Sequence, residues 1–549
     1  MKKKICLLGL ITLTALTLSG CDNSSTQESS EEEIIEPDGL EDDPIFLERD
    51  PAKDYTYVES SNKDGSMGYE IFVRSFYDSN NDGIGDLKGV KEKLPYIADM
   101  GYKTIWLMPI FLSGSYHGYD VIDYYKVNGA YGTLDDFDAL VSEAKKYNID
   151  IILDMVLNHC SIKSSYFTQS FADYKNNNTS SDSKKDWFTY GPSGDNVYEG
   201  IQYESKFDAS MPDFNLDSEG VRKEMENICK FWIQDHGVKG FRLDAVLYYY
   251  YQNTTKNVEF LNWLSNVCHK YDKDFYMVGE CWTSDGALDS YFESECDSFF
   301  DFSVATGGDT SCINYIKGYG RCDNLTSAIE THEKIRKKNN PNSYSSYFLS
   351  NHDQDRVAKN FTTDDLYKSA CSFYTLLPGT SYTYYGEEIA LKGTRVTNPD
   401  DQSDARRRLP IIWSETDKTG ECSFPDYDHP ALKNNEQVAK GVEDQRSEKF
   451  SLLNHYKMMI HLRNKYSWIK NATFKNLTSS LKTSENSAMA YSLEYGDKKI
   501  IVVHNFSGHN MELVSPGSKI VEQINVTHRL PELENGKLRI AAHNSVILE

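Results

Sequence analysis

Between residues 69 and 386, short apolar runs alternate with amphipathic stretches, and this alternation narrows the choice of fold more than any other feature. The runs are YEIFVRSF (69–76), TIWLMPI (104–110), IDIILDMVLN (149–158), VKGFRLD (238–244), FYMVGE (275–280), SYFLSNHD (346–353) and SYTYYG (381–386). Helical spacing appears between them, as in LKGVKEKLPYIADMG (87–101) and EGVRKEMENICKFWIQDHG (219–237). Strands that are apolar on both faces need cover on both, and their alternation with helices points to a parallel α/β fold. With a weaker run near FFDFSV (299–304), about eight such units over roughly 400 residues suit a (β/α)8 TIM barrel. The polar run NNNTSSDSKK (176–185) breaks the rhythm after the third strand, so residues 159–212 read as an inserted domain. After a helical stretch at 449–466 the runs shorten, as in MAYSLEY (489–495), KKIIVVHNFS (498–507) and SKIVEQI (518–524). These predict a C-terminal antiparallel β-sandwich over 470–549. The barrel then takes 55–158 and 213–469.

Several strand ends carry polar groups. DMVLNH closes the third run with Asp154, Asn158 and His159. GFRLD closes the fourth with Arg242 and Asp244, whose i, i+2 spacing puts both on one side of a strand. Glu280 ends the fifth, and Asn351, His352 and Asp353 end the seventh. Any one of these could be a structural hydrogen-bonding group. Their recurrence at one end of successive barrel strands is where catalytic residues belong.

At these residues the chain resembles glycoside hydrolase family 13, the α-amylase family. DMVLNH, GFRLDAV, MVGECW and FLSNHD stand in the order of that family's four signature regions, and MPDFN (211–215) resembles a fifth in the form of its intermediary group. The resemblance covers about residues 65–549. It implies Asp244 as nucleophile, Glu280 as general acid/base and Asp353 as transition-state stabiliser. Arg242 would orient Asp244. His117, Tyr119, His159, His352, Asp404 and Arg408 would contact the sugar. The i, i+4 spacing of Asp404 and Arg408 also fits a plain helix-surface ion pair. The chemistry agrees independently: a retaining glycosidase needs one ionised carboxylate and one protonated carboxyl about 5–5.5 Å apart. Arg242 favours ionised Asp244, while burial and neighbouring carboxylates would keep Glu280 protonated.

The stretch DSNNDGIGD (78–86) spaces Asp78, Asn80, Asp82 and Asp86 with intervening glycines. Oxygen donors at that spacing suit a hard cation. The stretch resembles the family's calcium loop, in which the Ile84 carbonyl also binds, so a structural calcium is expected; an acidic turn without metal is the alternative. Leu247 and Tyr248 stand where many α-amylases carry Lys-His, so no second, bridging calcium is expected.

The net charge of −25 argues against nucleic acid as a partner. The 38 Tyr, 25 Phe and 7 Trp permit stacking on sugars without requiring it. Lys2, Lys3 and Lys4 precede an apolar run ending at Leu18, and Leu18-Ser19-Gly20-Cys21 resembles a bacterial lipobox. Residues 1–20 are thus expected to be a lipoprotein signal peptide, with lipid on Cys21 and an anchor at the cell surface or the outer face of the cytoplasmic membrane. Residues 21–54 form an acidic tether; 22–54 hold 13 acidic residues against Arg49 and Lys53. The chain has 11 cysteines, without CxxC or zinc spacing, and buried thiols are expected; Cys312 and Cys322 could pair.

The expected activity is endo-acting hydrolysis of α-1,4 links in starch, maltodextrins or related glucans by a monomer. In exo-acting oligo-1,6-glucosidases an Asp commonly precedes the turn that here reads His117-Gly118-Tyr119-Asp120. Its absence leaves a chain end ungripped, and small Ala245 after the nucleophile favours an α-1,4 link. An exo-acting α-glucosidase or oligo-1,6-glucosidase and a non-catalytic glucan-binding lipoprotein are the alternatives.

Overall fold

Eight parallel strands close into a barrel, in a computed structural model that describes residues 67–305, 311–395, 403–423, 437–526 and 529–549. They are β1 (Met67–Ile71), β2 (Thr104–Leu107), β3 (Asp150–Met155), β4 (Gly240–Leu243), β5 (Tyr276–Gly279), β6 (Ser298–Phe300), β7 (Tyr344–Phe348) and β8 (Thr380–Tyr384). Each pairs with the next in sequence, and β8 closes on β1. The barrel and C-terminal antiparallel sheets are the fold the alternation predicts. The expected signal peptide (1–20), lipid site Cys21 and acidic tether (21–54) lie outside the described residues.

The strands are shorter than their apolar runs. The run 69–76 stops being a strand at Ile71, and Val73–Ser75 turns as a 3-10 helix. Apolar composition marks burial, and here burial continues past the sheet into the strand-to-helix turn. Period-2 alternation then divides each strand. Phe241 and Leu243 of β4 face the surrounding helices in the main core, while Trp106, Ile152, Tyr276, Val278, Phe300 and Tyr382 fill the barrel as a separate cluster. Such layers make the interior a packed core rather than a pore. Gly68 is needed for it, since a Cβ there would lie 2.3 Å from the Tyr382 ring.

Between β3 and the helix Glu219–Lys230, the chain forms a helix (Ser165–Lys175) and a hairpin (Asn196–Tyr198, Ile201–Tyr203). It is tied to the barrel by Asn158, whose Nδ2 donates to Asp213 Oδ1 at 3.0 Å. Beyond residue 470 there are two antiparallel sheets, one of five strands and one of three. Alternation sorts the larger sheet too: Ala488, Ala490, Ile501 and Val503 face the smaller sheet, while Tyr491, Leu493 and Val502 join the barrel's core. All nine cysteines among the described residues are buried free thiols, so Cys312 and Cys322 are unpaired.

Candidate active site

The polar strand ends meet in one cleft of about 650 Å³. Asp244, Glu280, Asp353, His117, Tyr119, His159, Asp404 and Arg408 all line it. Arg242 and His352, 1% and 0% exposed, lie beneath as its floor.

Arg242 sits opposite Asp154 across the β3–β4 register. Its Nη1 donates to Asp154 Oδ1 at 2.8 Å and to Asp244 Oδ1 at 2.7 Å, and its Nη2 lies 3.0 Å from Glu280 Oε1. One guanidinium thus bridges the two carboxyls expected to act as nucleophile and acid. The backbone N–H of Ala245 donates to Glu280 Oε2 at 2.9 Å. Ala245 has φ of 50°, a left-handed conformation that a β-branched residue adopts only with strain.

A second network holds Asp353. His352 Nδ1 donates to Glu70 Oε1 at 2.5 Å, and its Nε2 lies 2.9 Å from Asp353 Oδ2. Arg408 Nη2 donates to Asp353 Oδ1 at 2.8 Å. The Tyr119 hydroxyl joins the two networks, donating to Asp154 Oδ2 at 3.0 Å and standing 2.6 Å from His352 Nε2.

The electrostatics separate the carboxyls. Burial pushes Glu280 up to about 7; Arg242 opposes this, and Asp244 and Asp353 add to it. Burial also raises Asp244, to about 6, against the pull of Arg242. For Asp353 burial is outweighed by His352, Arg408 and Arg242, which hold it far below the ordinary carboxylate range. His352, despite burial, rises to about 10 between Asp353 and Glu70, so it is an imidazolium at neutral pH. Burial lowers His159 to about 4; it is neutral, and its buried Nε2 has no hydrogen-bond partner among the described residues. The cleft therefore offers a permanent carboxylate, an ionised carboxylate beside a guanidinium, and a carboxyl that changes protonation near neutrality.

Asp404 and Arg408 do not pair with each other. Residues Ala405–Arg407 form a 3-10 turn rather than an α-helix, so i, i+3 neighbours meet, and Arg407 Nη1 donates to Asp404 Oδ1 at 2.8 Å. That turn frees Arg408 for Asp353. Sequence reasoning missed Glu70 and Arg407. Glu70, an acid at an inward position of an apolar strand, was a readable sign of a buried polar contact. Phe207, Tyr248, Trp282 and Arg395 also line the cleft from loops, where no periodicity marks them.

The acidic loop 78–86 lies apart from the cleft lining. Asp78 and Asp86 are buried there, while Asn80 and Asp82 are more exposed. Asp78 Oδ1 accepts from the Asn81 N–H and its Oδ2 from the Gly83 N–H, both at 2.7 Å; Asp82 Oδ1 accepts from the Ile84 N–H at 2.8 Å. Asp86 accepts from the Gly89 N–H at 2.7 Å. The all-oxygen donor set fits a hard cation. Its carboxylates are turned to the loop's own amides, and among the described residues no three acidic, His or Cys side chains converge as metal ligands.

The family profile "Alpha amylase, catalytic domain" matches residues 70–472, and the profile "Alpha-amylase SusG C-terminal domain" matches residues 488–547. "Alpha-amylase 3" of Dictyoglomus thermophilum is 33% identical over 509 residues, covering 90% of this chain and 95% of the relative. The "Glucan 1,6-alpha-glucosidase" of Streptococcus pneumoniae is 27% identical over 82% of this chain and 92% of the relative. Among solved structures, "Eubacterium rectale Amy13B" superposes with a TM-score of 0.82 at 33% identity, covering 91% of this chain and 97% of that one. With the profile spanning most of the chain and the cleft built at the strand ends of its barrel, this chain belongs to the α-amylase family and is a glycoside hydrolase.

Proposed function

We propose that the enzyme is a retaining α-glucan hydrolase that attacks α-1,4 links within chains. The observation that carries this is the guanidinium of Arg242 held between Asp244 and Glu280, with Asp353 in the same cleft. Glu280 gives its proton to the glycosidic oxygen as the bond to the anomeric carbon breaks. Asp244 forms a bond to that carbon, leaving a glycosyl ester. Glu280, now a carboxylate, takes a proton from water; the oxygen of that water attacks the same carbon, and Asp244 departs as a carboxylate. The carboxylate of Asp353 stabilises the positive charge that develops on the sugar in both steps. His159 Nε2, Arg408 and Tyr119 face the sugar whose bond breaks.

Internal attack is favoured by Tyr116, which precedes the His117-Gly118-Tyr119-Asp120 turn at the position where an acid would grip a chain end. At that side of the cleft Asp404 is already engaged by Arg407. Maltoheptaose blocked at its non-reducing end tests the mode. Release of capped fragments, with the α-anomer formed first by NMR, is the expected result. Inertness toward the capped substrate with steady glucose release from open chains would establish an exo-acting glucosidase instead.

A structural calcium is proposed for the loop 78–86, with the side chains of Asp78, Asn80, Asp82 and Asp86 and the Ile84 carbonyl as ligands. Its oxygen-only donor set supports this, and binding would require the carboxylates to turn from the amides. Lipid attachment at Cys21, with the acidic stretch as spacer, is proposed from the leader's residues alone.

A further inference from the structure

One acid stands inside the barrel where alternation calls for an apolar side chain. In β1, Met67, Tyr69 and Ile71 face the surrounding helices, so Gly68 and Glu70 point into the barrel. Glu70 pairs in register with Trp106 of β2 and Tyr384 of β8, and it is 2% exposed. It lies beneath the cleft lining rather than in it. A carboxyl buried this deeply is costly unless it is paired.

Its partner is His352, whose buried ring meets Trp106 edge to face at 5.6 Å and stacks on Tyr119 at 5.7 Å. Nδ1 donates to Glu70 Oε1 at 2.5 Å, while Nε2 lies 2.9 Å from Asp353 Oδ2 and 2.6 Å from the Tyr119 hydroxyl. A neutral imidazole has one N–H and serves one of two carboxylates; the other would face a bare lone pair. Only the imidazolium serves both. The other charged groups around this ring are Asp154 from β3 and Arg242 from β4, both reached through Tyr119, and Arg408, which holds Asp353. Behind Glu70, the titratable neighbours are Tyr384 of β8 and Glu387 in the turn after it.

The proton count sets the direction of the hydrogen bonds. With both nitrogens donating, Nε2 cannot accept the Tyr119 proton. The hydroxyl therefore accepts from His352 and gives its own proton to Asp154 Oδ2, 3.0 Å away. Asp154 is held in turn by Arg242 Nη1 at 2.8 Å and by the Trp106 indole N–H at 3.2 Å.

We propose that Glu70 is a positioning residue: it keeps both protons on His352, and through that ring it fixes the Asp353 carboxylate and the Tyr119 ring in the cleft wall. The inference rests on the hydrolase reading of the cleft, but the state of the ring is read without turnover, so the two fail separately.

Glu70→Gln tests it, since the amide keeps the shape and a hydrogen bond to Nδ1 but carries no charge and can serve a bare nitrogen. In wild-type protein with isotope-labelled histidine, NMR should show both ring nitrogens of His352 protonated up to about pH 10, the signal being assigned by its loss in His352→Asn. In Glu70→Gln the second proton should leave about 1–3 pH units lower. Turnover of α-maltosyl fluoride needs no proton from Glu280, so its alkaline limb reports the rest of the site. That limb should move down with the NMR midpoint, and the rate past it should fall about tenfold as a charge-assisted hydrogen bond to Asp353 becomes an ordinary one. Glu70→Asp, which retains the charge, should keep most of the high midpoint. A neutral His352 ring in the wild-type protein at neutral pH would overturn the proposal with no variant needed. So would a Glu70→Gln midpoint and fluoride profile unchanged from wild type, or a rate loss equal at every pH, which marks a packing role alone. Wild-type enzyme inert toward the fluoride, with His352 doubly protonated, would overturn the hydrolase reading and leave Glu70 nothing to position.

Discussion

Replacing Glu280 with Gln should stabilise the fold above neutral pH while removing glucan hydrolysis. Burial, with Asp244 and Asp353 adding to it and Arg242 opposing, raises this carboxyl from 4.5 to about 7 in the fold. Between those values the folded protein holds a proton that the unfolded chain has released. Stability therefore falls as pH rises through the window and stays low above it. At about 1.4 kcal/mol per pH unit, the ionised acid costs the fold about 3 kcal/mol once the window is passed. Glutamine has nearly the same volume and no charge to bury. Its single oxygen can accept from Arg242 or from the Ala245 N–H but not both, and the lost hydrogen bond costs about 1 kcal/mol. The expected net gain is about 2 kcal/mol above neutrality, changing to a small loss at acid pH. Urea denaturation of both proteins between about pH 4 and pH 8.5 measures it. Hydrolysis of amylose should fall by about 10² to 10⁴, the usual contribution of a general acid. With α-maltosyl fluoride, whose leaving group needs no proton, the first step should persist and the glycosyl ester on Asp244 should accumulate, visible by mass spectrometry. A stability difference that is flat across the pH range would refute the buried-acid argument. Undiminished amylose hydrolysis would refute the assignment of Glu280 as the acid.

Two further outcomes follow from the same residues. If calcium fills the loop 78–86, free ion at a hundredfold excess over Kd adds about 2.7 kcal/mol to folding; chelator should lower Tm, Asp82→Ala should mimic it, and an unchanged melting curve with no metal by elemental analysis would reject the site. Cys21→Ala should release enzyme from membranes or leave an unprocessed precursor, and wild-type protein found without lipid in the medium would count against the anchor.

The strands of the barrel were legible because both their faces are buried, which writes continuous apolar runs into the sequence. The ends of those runs showed where the chemistry sits: Arg242, Asp244, Glu280, His352 and Asp353 each stand at or near the C-terminal end of an apolar run. Period-2 spacing placed Arg242 and Asp244 on one face. It could not say that the guanidinium also reaches Asp154 and Glu280, because those partners come from the neighbouring strands β3 and β5 and depend on register. Nor could it assign Arg408. A four-residue spacing suits an ion pair with Asp404 only in an α-helix, and the tighter turn there gives Asp404 to Arg407 and Arg408 to Asp353. The aromatic rim of Phe207, Tyr248 and Trp282 comes from three loops that carry no periodicity, so only the closed barrel brings those rings to one cleft. The sequence by itself determined which faces are buried and which strand ends are charged, since burial and alternation are local properties. The tertiary structure alone decided which charges meet and which carboxyl keeps its proton, since desolvation and ion pairing depend on distances between residues far apart in the chain.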